Sequence, residues 1–402
     1  MNPYSDERSV RGILRKAWRR GRSLLPVEGF TFGRPLVVLQ SDDWGRVGIR
    51  DHEGWEELRS QGIKLGECNY DYYSLETVDD VAAIVAMLSG HRDSIGRPAC
   101  LGMNFVVANV DFPKVIANNF RQIYFCRLTE GLPDGWNRPG LFEAYREGIS
   151  AGILSPALHG MTHFCRRAAE RHLNDPEERG VLLRLLWNAG VPYIHWRMPW
   201  IGFEYWDSEQ SREGAFLNSA SQESLIDSTV EGFTEFFSKA PISACAPGYR
   251  ANDDTHKAWA KNGVRVAQNG PGSALPPHFD LNGILHLYRS MDFEPAIAPN
   301  FSMAACVQAA EDCFSRGCPA IVSVHSINFH STIKDFRSRT LALLDEFLTA
   351  LEALHPDLLY VSDEDLYDLV DSGTLHSAQS AVRVPVMKRK FNTAAFAAGR
   401  SA

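Results

Sequence analysis

The stretch "VVLQSDDWGR", residues 37–46, decides how the rest of the chain is read. An apolar run without polar alternation reads as a strand covered on both faces, the habit of parallel sheets. It ends in two adjacent carboxylates, Asp42 and Asp43. Like charges that close repel, and a surface turn has little use for both. Paired acids at the end of a buried strand suit a site where one binds a cation and its neighbour handles protons.

Similar short apolar runs recur along the chain. They are "PLVVLQS" (35–41), "ACLGMNFVVAN" (99–109), "SPALHG" (155–160), "ISACAPG" (242–248), "VRVAQNG" (264–270), "ILHLYRS" (284–290), "AIVSVHS" (320–326) and "LLYVSD" (358–363). Helical periodicity lies between them, at 76–89, 303–316 and 336–354. Strands alternating with helices predict βα units around a parallel sheet. Seven or eight such units predict a barrel related to the TIM fold, with functional side chains at the C-terminal strand ends. The gap between 160 and 242 is too long for one βα unit and predicts an insertion at about 164–241, with helices at 176–189 and 221–238.

Bulk properties bound the function. The chain has 402 residues, 45% hydrophobic, and a net charge of −8, which disfavours non-specific nucleic-acid binding. It lacks the roughly 18 consecutive apolar residues of a membrane span. Its N-terminus lacks the roughly 7–15-residue apolar core of a secretory signal. Cysteines at 68, 100, 126, 165, 245, 306, 313 and 318 form no CxxC pair, so free thiols in the cytoplasm are expected. Residues 8–22 read as a basic amphipathic helix, suited either to packing on the domain or to peripheral contact with an anionic membrane face. The domain scheme is therefore a basic N-terminal segment (1–30), a barrel (31–375) and a flexible basic tail (376–402).

The strand ends gather the polar chemistry. After the first come Asp42 and Asp43; after the third, "HGMTH" with His159 and His163. After the fourth comes "APGYRAND", with Tyr249, Arg250, Asn252 and Asp253; after the seventh, "VHSINFH", with His325 and His330. Histidines four apart on a helical turn face the same side. With Asp43 they make three N/O ligands and leave a position for water, the arrangement of catalytic zinc. Asn252, Asn328 and His330 could orient substrate hydroxyls. Trp44 and the aromatics of "YIHWRMPWIGFEYW" (193–206), namely Trp196, Trp200, Phe203, Tyr205 and Trp206, could either stack on sugar rings or form a core.

The order of these motifs resembles the polysaccharide deacetylase family, also called the NodB-homology or carbohydrate esterase family 4 fold, over roughly residues 35–365. The resemblance implies a distorted (β/α) barrel and a divalent-metal, zinc-type hydrolase that removes acetyl groups from N-acetylated sugars; the expected cytoplasmic location suggests a soluble or lipid-linked precursor as substrate, and the basic helix 8–22 would suit a lipid-linked one. The resemblance implies Asp42 as general base, Asp43, His159 and His163 as metal ligands, and His325 as general acid. It also implies that the Tyr249 backbone N–H helps hold the oxyanion. The motifs depart from the family in three places. Trp44 separates the acid pair from Gly45. Cys245 and Ala246, not an arginine, precede Pro247, leaving Arg250 as the expected substitute. The acid that tunes the late histidine has only Asp280 and Asp292 as loose matches. Another hydrolase on the same scaffold, a glycosidase or an amidase of non-sugar substrates, and a non-catalytic glycan-binding protein are the competing readings.

Overall fold

The computed structural model describes residues 26–392 apart from 196, 212–213, 271–274 and 378–379. The basic stretch 8–22 and Trp196 therefore lie outside the described residues. The core is a mixed α/β arrangement around a ten-stranded, mostly parallel sheet. In chain order its strands are β1 (Leu36–Trp44), β2 (Leu101–Phe105), β3 (Leu154–Leu158), β4 (Ser243–Cys245), β5 (Val266–Asn269), β6 (His278–Phe279), β7 (Leu285–Tyr288), β8 (Met291–Asp292), β9 (Ala320–His325) and β10 (Leu359–Tyr360). Their order in space is β6-β7-β5-β4-β3-β2-β1-β9-β8, with β10 also paired to β1. Only β6 runs antiparallel, against β7.

All nine residues of β1 are buried, which explains its lack of alternation. Successive residues still enter different cores. Val37 and Leu39 pack into a large outer cluster with Ile84 and Leu348, residues of the helices Val78–Gly90 and Arg337–Leu354. Leu36 and Val38 join Val266, Leu285, Leu287, Ile321 and Leu359 on the other face. The same alternation puts Gln40 and Asp42 on that second face, towards the C-terminal end of the strand.

A closed barrel is not what forms. Among the described residues no strand pair joins the β6–β7 end of the sheet to the β8 edge, so the hydrogen-bonded ladder stays open. The chain itself crosses between the edges through two residues. Arg289 N donates to Asn269 O of β5 (3.2 Å), and Ser290 N donates to Ile321 O of β9 (2.9 Å). A strand that changes partner this way replaces the closing ladder and requires the sheet to curl. Side chains of β1, β2 and β5 consequently meet across the inner face although these strands are not all neighbours.

The segment between β3 and β4 holds helices Arg166–Leu173, Glu178–Asn188 and Ser219–Phe237 and a short ribbon, Trp206–Asp207 with Ala215–Phe216. The stretch read as a loose tail is a structural element as far as residue 392. Ala381–Arg383 pairs with Thr374–His376, and Val386–Asn392 runs antiparallel along Pro26–Phe32. Val384 is buried with Phe30 and Phe32 in the inner cluster. No helix of the described residues is long and apolar enough to cross a membrane. None of the eight cysteines, all of them among the described residues, is joined in a disulfide.

Removing residues 381–402 should lower the unfolding free energy by at least about 2 kcal/mol, the cost of losing one fully buried Val alone. A reduced urea midpoint at unchanged slope is the expected reading.

Candidate metal centre and catalytic site

The end of β1 is irregular, and the irregularity builds the site. Its register with β2 shifts between Ser41 and Trp44. Asp43 sits in the left-handed region at φ 75°, followed by Gly45 at φ 72°. In an unbroken strand Asp42 and Asp43 would point to opposite faces. A bulge re-aims one of them. Asp42 stays in register with His325 of β9, which sets the carboxylate beside the imidazole, 3.8 Å from Oδ2 to Nε2.

The two histidines after β3 converge, but not on a helical turn. Residues 159–165 form a non-helical bend in which Gly160 (φ 94°) and His163 (φ 65°) are left-handed. Glu204 braces the bend by accepting the N–H groups of Met161 (2.8 and 2.9 Å) and Thr162 (3.0 Å). Burial pushes the Glu204 carboxyl up to about 8, while those two amides pull it down. A methyl at Gly160 would lie 1.6 Å from Glu204 Oε2, so glycine is required there by both space and torsion.

The rings of His159 and His163 lie 4.9 Å apart between centroids. Their Nε2 atoms stand 3.5 and 3.1 Å from Asp43 Oδ1. His159 Nδ1–H donates to Cys245 O at 2.9 Å, leaving the Nε2 lone pair pointing inward. His163 Nδ1 is 2.6 Å from the Tyr193 hydroxyl, which fixes that ring from behind. Exposures are 0% for Asp43, 1% for His159 and 3% for His163. Asp43 Oδ1 and His159 Nε2 nonetheless make no hydrogen bond. Buried polar atoms are nearly always paired, so two such atoms facing one another make this a candidate cation site. These three residues fit a divalent metal with an N2O ligand set. Asp42, His159 and Cys245 are equally close together. That grouping fits less well, because burial and the Asp42 charge keep the Cys245 thiol protonated.

Each carboxylate has its own arginine. Burial would raise the Asp43 carboxyl, but Arg46 and His163 outweigh it and hold it well below the usual range. Arg46 Nη2 is 3.4 Å from Asp43 Oδ2, with its guanidinium 3.9 Å above the Tyr73 ring. Asp42 is gripped by a residue that the sequence motifs did not single out. Arg289 donates Nη1–H to Oδ2 and Nη2–H to Oδ1, both at 2.6 Å. Asn104 donates to Oδ1 as well, at 2.6 Å. Against the effect of burial, the Arg289 charge keeps Asp42 below the ordinary carboxylate range. The arginine expected in this role, Arg250, instead lies over the rings of Trp206 (4.6 Å) and Phe203 (5.4 Å).

His325 is likewise held by an unforeseen acid. Its Nδ1–H donates to Glu294 Oε1 at 2.6 Å, and its backbone N–H reaches the same oxygen at 3.1 Å. Burial would lower the imidazole, but Glu294 raises it to about 9. Asp280 and Asp292 do not take this place. Asp280 lies in the β6–β7 turn, and Asp292 is exposed on β8.

Several expected substrate contacts turn out to be structural. The Tyr249 N–H donates to Ala246 O (2.8 Å) within its own turn and is not presented to an oxyanion. What Tyr249 brings to the site is its phenol oxygen, which accepts from Arg289 Nη1 at 2.7 Å. Trp44 is fully buried, stacks on Phe329 (5.9 Å) and donates to Ser41 Oγ (2.8 Å). Asn252 caps the helix Asp253–Lys261, accepting the Thr255 N–H. Trp200 packs against His172, 4.4 Å between centroids, inside the outer core. His330 is buried edge-on to Tyr73, with Nε2 3.5 Å from Glu76. Asn328 donates to Glu294 and supports the His325 pair. Tyr70 and His195, stacked at 4.6 Å, bridge the space between His325 and His163. Arg197 ties their two segments together through a bidentate pair with Asp71, 2.6 Å on each arm.

No protein-family model and no curated protein sequence matches the chain. Among solved structures it is similar to a putative polysaccharide deacetylase from Mycobacterium smegmatis, at 12% identity over 84% of this chain and 90% of that one, with a TM-score of 0.43. It is also similar to a family 4 acetyl xylan esterase from Clostridium thermocellum in complex with a cobalt ion, at 9% identity over 84% and 92% and a TM-score of 0.35. A 4-alpha-glucanotransferase from Thermococcus litoralis aligns at 9% identity over 83% of this chain and 40% of its own, with a TM-score of 0.44. Likenesses this distant leave the chemistry to be argued from the site's own residues.

Gly160→Ala should displace the His159–His163 bend and weaken metal binding at least about tenfold, the scale of loss when a ligand's support is removed. Zinc titration of a variant with native circular dichroism is the check; unchanged affinity would mean that the bend does not position the ligands.

Proposed function

We propose that this chain is a metal-dependent hydrolase that removes the acetyl group from an N-acetylated sugar. The observation that carries the reading is the pair of buried, unpartnered atoms, Asp43 Oδ1 and His159 Nε2, facing His163 Nε2 beside an acid and a base that are separately held. Asp43, His159 and His163 would hold a divalent metal, which when bound would polarise the amide carbonyl and lower the pKa of a water; an N2O set with an open position suits zinc.

The protein's own groups do the rest. Asp42 accepts the proton of the attacking water. Both oxygens take a hydrogen bond from Arg289; Oδ2 is the one that faces His325, 3.8 Å away, and it is the oxygen assigned to that proton. The water oxygen bonds to the carbonyl carbon and the C–N bond breaks. His325 enters protonated and delivers its Nε2 proton to the departing nitrogen, while Glu294 holds Nδ1–H. The products are acetate and a free amine.

The acetylated-sugar substrate is supported by the order of the sequence motifs. A second reading, an amidase for a small non-sugar substrate, is favoured by the enclosure of the centre under Tyr70 and His195 and by the burial of Trp44 and Trp200, which leaves no ring of either to stack on a glycan. A glycosidase is disfavoured, because it needs one carboxyl kept protonated and both Asp42 and Asp43 are held ionised.

Acetate release from a panel of N-acetylated sugars and small N-acetyl amides should stop with chelator and return with zinc. Asp42→Asn should lower kcat by about 10²–10⁴, the worth of a positioned base. Chelator-resistant release would refute the proposal, and release from the small amides alone would favour the second reading. The pH profile offers a separate check. Because Glu294 raises His325, its protonated form is present below the folded pKa and is lost as pH climbs through it. Glu294→Gln should therefore move the alkaline limb of kcat to lower pH, and an unmoved limb would exclude His325 as the proton donor.

A further inference from the structure

A second cluster of ligand-type side chains lies away from this centre, at the sheet edge formed by β6 and β7. His278 of β6 pairs directly with His286 of β7, so both project from one face of the hairpin. Asp280, two residues beyond His278, falls on the same face by alternation. The helix Asp253–Lys261 brings His256 against it, with the rings of His256 and His286 4.7 Å apart.

The turn fixes the carboxylate before any partner arrives. Asp280 Oδ1 accepts the N–H groups of Asn282 (2.8 Å) and Ile284 (2.9 Å), and Oδ2 accepts from Asn282 Nδ2 (3.1 Å). Oδ2 then faces His286 Nε2 at 3.5 Å and His256 Nδ1 at 3.7 Å. These separations exceed hydrogen-bond lengths. They approach the roughly 3.4 Å that separates two ligand atoms around a tetrahedral ion with bonds of about 2.1 Å. His286 is 7% exposed and its Nε2 has no hydrogen-bond partner. The Asn269 amide, 3.2 Å from Nδ1, fixes the rotation of that ring. His278 donates to Pro276 O and stays outside the set. His256 and Asp280 are partly exposed, which leaves a path for an ion and its water.

We propose that His256, Asp280 and His286 form a second, structural divalent-metal site of the zinc type, which fastens the edge hairpin to the helix Asp253–Lys261. The three ligands come from the helix, the turn and β7, so one ion ties the helix to a hairpin whose turn and strand are already joined by hydrogen bonds. β7 runs directly into Arg289, so the ion steadies the strand that delivers the grip on Asp42.

The test uses the full chain. Asp43→Asn disables the first centre, and zinc per chain is then measured after dialysis. D43N should retain one zinc and D43N/H256A/H286A none, whereas the wild type should hold two and H256A/H286A one. Cobalt substitution gives an independent readout: D43N should show the intense visible bands of a tetrahedral site, and the triple variant should not. A D43N protein with native circular dichroism and no bound zinc overturns the proposal. Equal zinc contents in the wild type and H256A/H286A overturn it as well, and that comparison decides the matter if D43N does not fold. Neither outcome depends on the protein's being a hydrolase.

Discussion

Two adjacent carboxylates buried at one strand end are tolerated here only because each is neutralised separately. Placing two ions in a protein interior costs several kcal/mol each unless close partners offset it. Unpaired neighbours would share a proton. The bulge at Asp43 parts the two groups, Arg46 takes one and Arg289 takes the other. That division lets one acid face two imidazoles while the other remains an ionised base. The different surroundings of the two acids thus follow from which guanidinium each carboxylate meets.

Arg289 can reach Asp42 only because the sheet curls. It occupies the step where the chain leaves the β7 edge for the β8 edge. Beneath it a buried polar network joins strands that a flat sheet would keep apart. Arg289 donates to Gln40 (3.1 Å) and Gln268 (3.0 Å), and Gln268 exchanges hydrogen bonds with Asn104 (2.7 and 2.9 Å). Asp363 accepts from Gln40 and Gln268, both at 2.7 Å. Such a network is stable only when every member is satisfied, and here it sets the tilt of the guanidinium. The apolar residues below it, Leu36, Val38, Leu285 and Leu287, form the floor on which this polar layer rests.

The strands were legible in the sequence because buried parallel strands are plain apolar runs. The cluster of Asp43, His159 and His163 was legible because its residues sit at strand ends in unusual combinations. The reason for the His159–His163 convergence was not, since spacing alone suggests a helix where Gly160 and a left-handed His163 make a bend. Arg289 is the second-last residue of the expected strand 284–290, and reading that strand's end like the others would have exposed it. Asn104 could have been found at the end of β2 in the same way. Glu294 and Glu204 lie outside any motif, and only tertiary packing brings them to His325 and to the bend. Trp44, Trp200, Asn252 and His330 misled because a residue near a site in sequence can face away from it. Barrel closure was overestimated because strand count does not reveal that one strand changes partner.

The protein described is thus a curled α/β scaffold whose inner face grades from apolar floor to polar network to the candidate metal site of Asp43, His159 and His163. Crystals grown with zinc and measured at the zinc absorption edge test that claim most directly. The account predicts an anomalous peak bonded to Asp43 Oδ1, His159 Nε2 and His163 Nε2. No peak there, with Asp43 Oδ1 and His159 Nε2 instead hydrogen-bonded to each other or to water, would contradict it.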